Sequence, residues 1–222
     1  MEQILKTEIV DILNKIQRRD APQLVNNGIV PAYVVQSAHK FDLVDSKNGR
    51  TPIKAFGTGT AHYTNGQVNN TYNLKIICYD DFIHQFTFDD KKGHIQVSRL
   101  KDGVKVADFL IYEQSGSKAI FIVQEVSDEK SSTKIKTAKK QLSDTLNQLY
   151  KSKVIGNFID SFREKKCYLS ARDNRRIVST AGMADGFTQI YTVLPEPSQF
   201  NWGQIGTYGF LAFETSYVEL VK

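Results

Sequence analysis

Two apolar runs separated by a short polar turn are the feature that most constrains how this chain folds. The runs extend from Phe109 to Tyr112 and from Ala119 to Val126, and the turn between them reads Glu-Gln-Ser-Gly-Ser-Lys. β-Branched and aromatic residues on both sides of a glycine-containing turn are typical of an antiparallel hairpin. The second run is apolar on both faces, which predicts a central strand that is buried on both sides of a sheet.

Acidic residues stand at one end of this predicted hairpin. With Gly116 at the tip of the turn, Asp108 lies opposite Gln124 and one step from Glu125. A buried carboxylate is costly without a partner. A divalent metal ion held between Asp108 and Glu125 would supply that partner, because hard cations take carboxylate oxygens. A salt bridge or exposure at the strand end would serve as well.

A helix is predicted after the second strand. Ser131, Ser132 and Thr133 are candidate N-caps for it. Its apolar stripe is expected to face the core and is formed by Ile135, Ala138, Leu142, Leu146 and Leu149. The basic residues Lys134, Lys136, Lys139 and Lys140 lie mostly off this stripe. Gln141 stands at its edge, where the side-chain amide is placed to point toward the strand ends.

Positive charge is concentrated around this helix. The chain carries a net charge of +5, yet residues 129–176 contain thirteen Lys or Arg against five Asp or Glu, which leaves a net of −3 elsewhere. A further helix over Val154–Phe162 and a strand over Lys165–Arg172 are predicted there, followed by a loop with Arg172, Arg175 and Arg176. Such a segment is typical of nucleic-acid binders. A solvated lysine-rich helix is the alternative.

An antiparallel meander is predicted to lead into the central hairpin. Its three strands are expected over Tyr72–Tyr79, Phe82–Phe88 and His94–Leu100. We interpret the intervening Asp80-Asp81 and residues 89–93 as hairpin turns.

Length and composition favour a single domain. A chain of 222 residues with 41% hydrophobic content can bury a sizeable core. We predict an α+β or α/β fold in which a central mixed sheet is flanked by helices. The predicted segments are an N-terminal helix over 1–20, a loop-rich region over 21–71, a core over 72–172, and C-terminal strands with an aromatic tail over 173–222.

Several classes of protein lack support in the sequence. The two cysteines, Cys78 and Cys167, stand far apart and suggest neither a zinc site nor a disulfide framework. The four histidines lack HxH or HExxH spacing, and no G-x-S-x-G or glycine-rich dinucleotide motif is present. No apolar leader or run long enough to span a membrane is found. We therefore expect a cytoplasmic protein without a membrane partner.

The order of these residues resembles the PD-(D/E)XK, or restriction-endonuclease-like, nuclease superfamily. Asp108 starts one strand, Glu125 lies near the end of the next, and a helix with Lys140 and Gln141 follows, so the resemblance covers roughly residues 101–172. It implies a restriction-endonuclease-like mixed sheet. It also implies that Asp108 and Glu125 hold Mg²⁺ or Mn²⁺, which lowers the pKa of a water molecule and stabilises the transition state.

The tripeptide of the superfamily is degenerate in this chain. Strand register puts Val123, Gln124 and Glu125 at the (D/E)-x-K positions, so a valine replaces the acid and a glutamate replaces the lysine. Shifting the alignment by two residues makes Glu125 the acid and Ser127 the third residue of the tripeptide, which again has no lysine. The resemblance then implies Gln124 and Gln141 as orienting groups and Lys140 as the nearest substitute for the lysine.

The function implied by this resemblance is a metal-dependent nuclease. Its substrate would be a phosphodiester, with DNA favoured over RNA, and such proteins often serve in restriction, repair or defence. The backbone would be bound by the basic residues Lys134, Lys136, Lys139, Arg172, Arg175 and Arg176. The alternative is a catalytically inactive relative that binds nucleic acid or a protein partner. A homodimer is compatible with either function.

Overall fold

Four α-helices and three β-sheets form the part of the chain that the computed structural model describes, namely residues 1–16, 23–24, 29–45, 51–89, 95–97, 105–172 and 196–222. The helices are α1 (Glu2–Ile16), α2 (Tyr79–His84), α3 (Ser132–Leu149) and α4 (Lys153–Asp160). The first eight strands are β1 (Gln23–Leu24), β2 (Tyr33–Gln36), β3 (Lys40–Leu43), β4 (Ile53–Lys54), β5 (Ala61–Asn65), β6 (Leu74–Cys78), β7 (Thr87–Asp89) and β8 (Ile95–Val97). The others are β9 (Phe109–Glu113), β10 (Ile120–Ser127), β11 (Glu164–Ala171), β12 (Ser198–Phe200), β13 (Leu211–Glu214) and β14 (Tyr217–Leu220).

The largest sheet is mixed and has seven strands in the order β12-β13-β11-β10-β9-β6-β2. β10, β11 and β13 are parallel to one another, and the remaining neighbours pair antiparallel. α3 and α4 connect β10 to β11, as a parallel pair requires a crossover. The prediction of a mixed sheet flanked by helices in an α+β fold is confirmed.

The seven-stranded sheet separates two hydrophobic cores. All four helices pack on one face, where Leu142 and Leu146 of α3 meet Val123 of β10. The opposite face is covered by a four-stranded sheet in the order β14-β5-β3-β4, with Phe41 and Tyr63 in its core. β10 is therefore buried on both faces, as its apolar sequence predicts.

The central hairpin forms with a register one residue away from the predicted one. Gly116 adopts a φ of 96°, a left-handed conformation that glycine takes without steric cost. Gln124 pairs with Phe109 and not, as predicted from the sequence, with Asp108. The shift arises at the turn, since loop length and turn type set the register of a hairpin. The observed register places Asp108 alongside Glu125.

The predicted strand over Phe82–Phe88 is wrong in its first half. Tyr79–His84 forms α2, and the following strand begins only at Thr87. Tyr79, Phe82 and Ile83 are buried at helical spacing, which packs one face of α2 into the core. Asp80 and Asp81, interpreted as a turn, occupy the first turn of this helix, where the helix dipole favours acidic residues.

The predicted meander is also corrected. β6 pairs directly with β9, so the strands between them in sequence do not continue the sheet. β7 and β8 pair antiparallel, but they join β1 in a separate three-stranded sheet. Of the turn predicted over 89–93, residues 90–93 lie outside the described part of the chain.

Two other predicted segments contain more strands than expected. The region over 21–71, predicted to be loop-rich, contributes β2 to the large sheet and β3, β4 and β5 to the smaller one. The C-terminal segment adds β12, β13 and β14, and β14 pairs with β5, which lies in the first third of the chain. Among the described helices, none is long and apolar enough to cross a membrane.

Candidate metal and nucleic-acid site

One edge of the seven-stranded sheet gathers the predicted acidic residues. β6 and β10 end at this edge and β9 begins there, because Cys78 and Gln124 both pair with Phe109. Asp108 directly precedes β9, and Glu125 lies near the end of β10. The strand pairing confirms that the two carboxylates meet at one end of the hairpin.

Backbone groups position Asp108. The residue is buried, and its Oδ2 accepts a hydrogen bond from the amide of Val126 at 2.7 Å. The carbonyl oxygen of Asp108 accepts hydrogen bonds from the amides of Tyr79 and Asp80 at 2.8 and 3.3 Å. These contacts tie Asp108 to β10 and to the start of α2, which fixes the carboxylate at the start of β9.

Glu125 is a buried acid with an unsatisfied oxygen. The residue is 6% exposed, and its Oε2 has no hydrogen-bond partner among the described residues. Burial raises the pKa of the Glu125 carboxyl well above its usual range, and the negative charges of Asp108, Asp80 and Asp45 act in the same direction. A backbone hydrogen bond from Asp108 opposes this rise in pKa. The carboxylate is thus placed where a cation would stabilise its ionised form.

Gln124 lies on the other face of the sheet from this carboxylate. Side chains alternate along a strand, so Gln124 points toward the four-stranded sheet while Glu125 shares a face with Val123. Its Oε1 accepts a hydrogen bond from the hydroxyl of Tyr63 at 2.7 Å. Its Nε2 donates to Ser170 Oγ at 3.1 Å and to the carbonyl of Glu125 at 2.8 Å. The structure therefore does not bring the Gln124 side chain to the carboxylate pair.

Helix α3 clamps the segment that leads into Asp108. Its N-cap is Ser131, one of the predicted caps. Gln141 Nε2 donates a hydrogen bond to the carbonyl of Val106 at 2.9 Å, which confirms the predicted direction of this amide. One turn further on, Thr145 Oγ1 accepts a hydrogen bond from the amide of Ala107 at 2.7 Å. Gln141 thus acts on the backbone beside Asp108.

Two of the predicted catalytic or binding lysines form ion pairs within or beside α3. The ammonium group of Lys140 pairs with Asp144 one turn away on the exposed side of the helix. The ammonium group of Lys134 lies 3.3 Å from Glu129. Surface pairs of this kind contribute little to stability and open readily.

Lys139 lies in a small cluster at the C-terminal end of β13. Its ammonium group is 3.5 Å from the carboxylate of Glu214 and 4.4 Å from the ring centre of Phe200. Lys130 also approaches Glu214, at 3.6 Å. Glu214 thus offsets part of the positive charge that the sequence analysis assigned to nucleic-acid binding.

Arg172 lies next to the acidic edge. It follows β11 directly, its side chain is exposed, and its amide donates to the carbonyl of Ser127 at 2.8 Å. Lys136 is also exposed, on α3. Arg175 and Arg176 lie outside the described residues.

Asp80 lies beside this site and is not among the residues predicted from the sequence. It follows β6, and its amide hydrogen bond to the Asp108 carbonyl attaches it to the start of β9. Its carboxylate lies 3.1 Å from Nδ1 of His84, one turn along α2. The hydrogen bond that the His84 ring donates to the Asp80 carboxylate raises the pKa of His84 to about 9. The one sequence feature that marks Asp80 is its place in an acidic pair after a predicted strand, and such pairs are also common in turns.

A second polar pair, Asp42 and His62, lies on the four-stranded sheet. Asp42 is fully buried, and its Oδ1 lies 2.8 Å from Nδ1 of His62. Its Oδ2 accepts hydrogen bonds from the amides of Thr58 and Gly59 at 2.7 and 2.6 Å. These contacts fasten the loop before β5 to β3. No local sequence pattern indicates this pairing, because the two residues meet only through strand register.

Comparison with known proteins adds no relative to this description. No family model matches the chain, and no match is found among curated proteins or solved structures. Within the described ranges, no three His, Cys, Asp or Glu side chains are grouped closely enough to hold a metal ion together. Among the described residues, the buried carboxylates that come together at this edge are those of Asp108 and Glu125.

Proposed function

We propose that this protein is a metal-dependent nuclease that hydrolyses phosphodiester bonds in DNA. The observation that carries the proposal is the pair of buried carboxylates, Asp108 and Glu125, at one edge of a mixed sheet, where one oxygen of Glu125 has no hydrogen-bond partner among the described residues. Burial of adjacent acids is costly, and such costs are concentrated at functional sites.

The residues present fit Mg²⁺ or Mn²⁺. Both donors are carboxylates, which hard divalent cations prefer, and Mg²⁺ in particular is commonly held by one or two carboxylates with water and substrate phosphate completing its shell. The orphaned Oε2 of Glu125 provides a ligand atom that no described residue occupies. A cation bound there would act as a Lewis acid toward a phosphodiester oxygen.

The chain's own contribution is to hold these groups in place. The amide of Val126 fixes Asp108, and α3 fixes the preceding segment through Gln141 and Thr145. Preorganised ligands need little rearrangement during the reaction. The exposed Arg172, at the same edge, is available to contact the phosphate backbone.

We further propose a restriction-endonuclease-like core. The support is the order of its parts: Asp108 at the start of β9, Glu125 near the end of the antiparallel β10, and α3 leading on to a strand parallel to β10.

A second candidate function is a nuclease-like scaffold that binds nucleic acid without cleaving it. The observation that favours it is the pairing of Lys140 with Asp144, which engages the lysine nearest to the missing catalytic role. In that case the basic surface, including Arg172, binds the nucleic acid, and the two carboxylates no longer take part in catalysis.

Incubation of the purified protein with plasmid DNA, single-stranded DNA and RNA in the presence of Mg²⁺ or Mn²⁺ separates the two candidates. A nuclease cleaves at least one substrate, and cleavage disappears in Asp108→Asn and in Glu125→Gln but persists in Asp81→Asn. Cleavage that survives the double change at Asp108 and Glu125 would come from a contaminant and refute the assignment. Binding without cleavage, weakening steeply with salt, would support the scaffold.

A further inference from the structure

The four-stranded sheet has an outer face, turned away from the seven-stranded sheet, that the proposed metal site does not use. Phe41, Tyr63 and Val218 of this sheet lie in the core between the two sheets. Because side chains alternate along a strand, the residues next to them point outward. One outward row crosses all four strands and consists of Tyr217 of β14, His62 of β5, Asp42 of β3 and Lys54 of β4.

Three aromatic rings meet on this outer face. The ring centre of His62 lies 4.8 Å from that of Tyr217 and 5.8 Å from that of Phe56. Phe56 belongs to the loop between β4 and β5 and is 41% exposed, and Tyr217 is partly exposed. Nucleobases stack on accessible aromatic rings of this kind without regard to sequence, because every base has a π-face.

The fully buried carboxylate of Asp42 holds these rings in place. Its Oδ1 lies 2.8 Å from Nδ1 of His62, and its Oδ2 accepts hydrogen bonds from the amides of Thr58 and Gly59. Thr58 and Gly59 lie in the same loop as Phe56. One carboxylate therefore fixes both the His62 ring and the loop that carries Phe56, which lowers the ordering cost of binding a ligand on them.

Accessible positive charge lies beside the rings. Lys40 and Lys54 are exposed, and neither ammonium group forms an ion pair with a described residue. Nζ of Lys40 lies 5.3 Å from the ring centre of Phe56. On the same face, the charge of Asp42 is buried and hydrogen-bonded, and Glu219 lies two strands away from Lys40. Lysines next to accessible rings complement a ligand that carries both phosphates and bases.

We infer that the outer face of the four-stranded sheet binds single-stranded nucleic acid. Its bases stack on Phe56 and Tyr217, and its phosphates lie beside Lys40 and Lys54. A single strand fits this face because its bases are free to stack on side chains, whereas those of a duplex are paired and stacked on one another. The inference goes beyond the proposed nuclease and does not depend on it, since binding here needs neither a cation nor cleavage.

The test is fluorescence anisotropy with labelled single-stranded DNA, single-stranded RNA and duplex DNA, in buffer that contains EDTA. Phe56→Leu keeps an apolar side chain but removes the ring, and it should weaken binding of a single strand by about tenfold. Lys40→Gln and Lys54→Gln should each lower the slope of log affinity against log salt by about 0.7. Affinities for the DNA and RNA strands then show which of the two this face prefers.

Phe56→Trp reports on stacking directly. It keeps an aromatic ring, so it should retain binding, and stacking of a base on the indole should quench its fluorescence. The one tryptophan of the unmodified chain, Trp202, gives the background signal.

Tyr33 provides a matched control for Phe56. It is 48% exposed, and Nζ of Lys75 lies 4.2 Å from its ring centre, but it belongs to β2 of the seven-stranded sheet. Tyr33→Leu should bind a single strand as the unmodified protein does. A loss of affinity in Tyr33→Leu as large as in Phe56→Leu would show an unspecific effect and refute the inference.

The other outcomes also decide the question without reference to the metal site. Unchanged affinity in Phe56→Leu would refute the inference, as would duplex DNA that binds as tightly as a single strand, because phosphate attraction alone would then explain binding. Far-UV circular dichroism reports whether each variant folds. If Phe56→Leu does not fold, the absence of quenching in Phe56→Trp refutes the inference in its place.

Discussion

Two buried glutamates of the same hairpin are expected to respond in opposite ways to removal of their charge. Glu125 has an oxygen without a partner among the described residues and lies beside Asp108. Glu113, which is 2% exposed at the other end of β9, accepts hydrogen bonds from the amide and hydroxyl of Ser115 and from the hydroxyl of Ser117. We predict that Glu125→Gln stabilises the metal-free protein and that Glu113→Gln destabilises it.

The magnitudes follow from the number of unsatisfied groups in each variant. An unsatisfied buried polar group costs about 1–3 kcal/mol, which corresponds to a change in melting temperature of about 2–12 °C for a chain of this size. Glu125→Gln removes one such oxygen and places an amide donor near the carboxylate of Asp108. Glu113→Gln has the same predicted magnitude with the opposite sign, because an amide nitrogen cannot accept the serine hydrogen bonds.

The effect of pH distinguishes this explanation for Glu113 from a general packing defect. Burial would raise the pKa of Glu113, but hydrogen bonds from Ser115 and Ser117 outweigh it and hold the pKa below its usual value. A lowered folded-state pKa adds stability above the unfolded value of 4.5 that is lost as the pH falls. The deficit of Glu113→Gln should therefore be largest near neutral pH and shrink below pH 4.5.

Thermal melting without metal, followed by circular dichroism at several pH values, measures all three effects. The reasoning would be refuted if Glu125→Gln lowered the melting temperature as much as Glu113→Gln, since Glu125 would then be a satisfied structural acid. A Glu113 deficit that is constant from neutral to acidic pH would contradict the hydrogen-bond explanation.

Three further predictions concern the groups around the site. Thr145→Val removes the acceptor for the buried amide of Ala107 and should lower the free energy of unfolding by about 1–3 kcal/mol in denaturant titrations. Thr145→Ser keeps a hydroxyl acceptor and should retain most of the stability of the unmodified protein. Tyr63→Phe leaves Oε1 of Gln124 without its hydroxyl donor and should cost about 1–3 kcal/mol by the same measurement, with no loss of Mn²⁺ affinity. Arg172→Ala should weaken DNA binding and lower the slope of log affinity against log salt by about 1 in fluorescence anisotropy titrations; an unchanged slope would exclude a phosphate contact.

Local patterns were sufficient to predict the central elements of the fold. The hairpin follows from two apolar runs around Gly116, and α3 follows from the stripe that includes Leu142 and Leu146 together with its cap at Ser131. These elements are determined by residues close in sequence. Their patterns can therefore be recognised without knowing which other elements they pack against. The burial of β10 on both faces was predicted for the same reason.

Features that depend on distant contacts were not predictable in this way. The short apolar stretch of α2 fits a strand or a helix equally well, and only its packing in the helix-side core decides between them. The pairing of β14 with β5 joins segments that lie far apart in the sequence, and no local pattern indicates it.

The candidate site shows the same division. That Asp108 and Glu125 share one end of the hairpin was predictable, whereas a register change of one residue decided which of Gln124 and Glu125 stands beside Asp108. Asp80 reaches the site through the pairing of β6 with β9, which the predicted meander had excluded.

The most direct test of the proposed function is a crystal structure of the protein soaked in MnCl₂, with anomalous diffraction data collected to locate manganese. The proposal predicts an anomalous peak within coordination distance of the carboxylate oxygens of both Asp108 and Glu125, and no peak at this position in Glu125→Gln. A map without manganese at this edge of the sheet, in crystals where the site is open to solvent, would contradict the central claim.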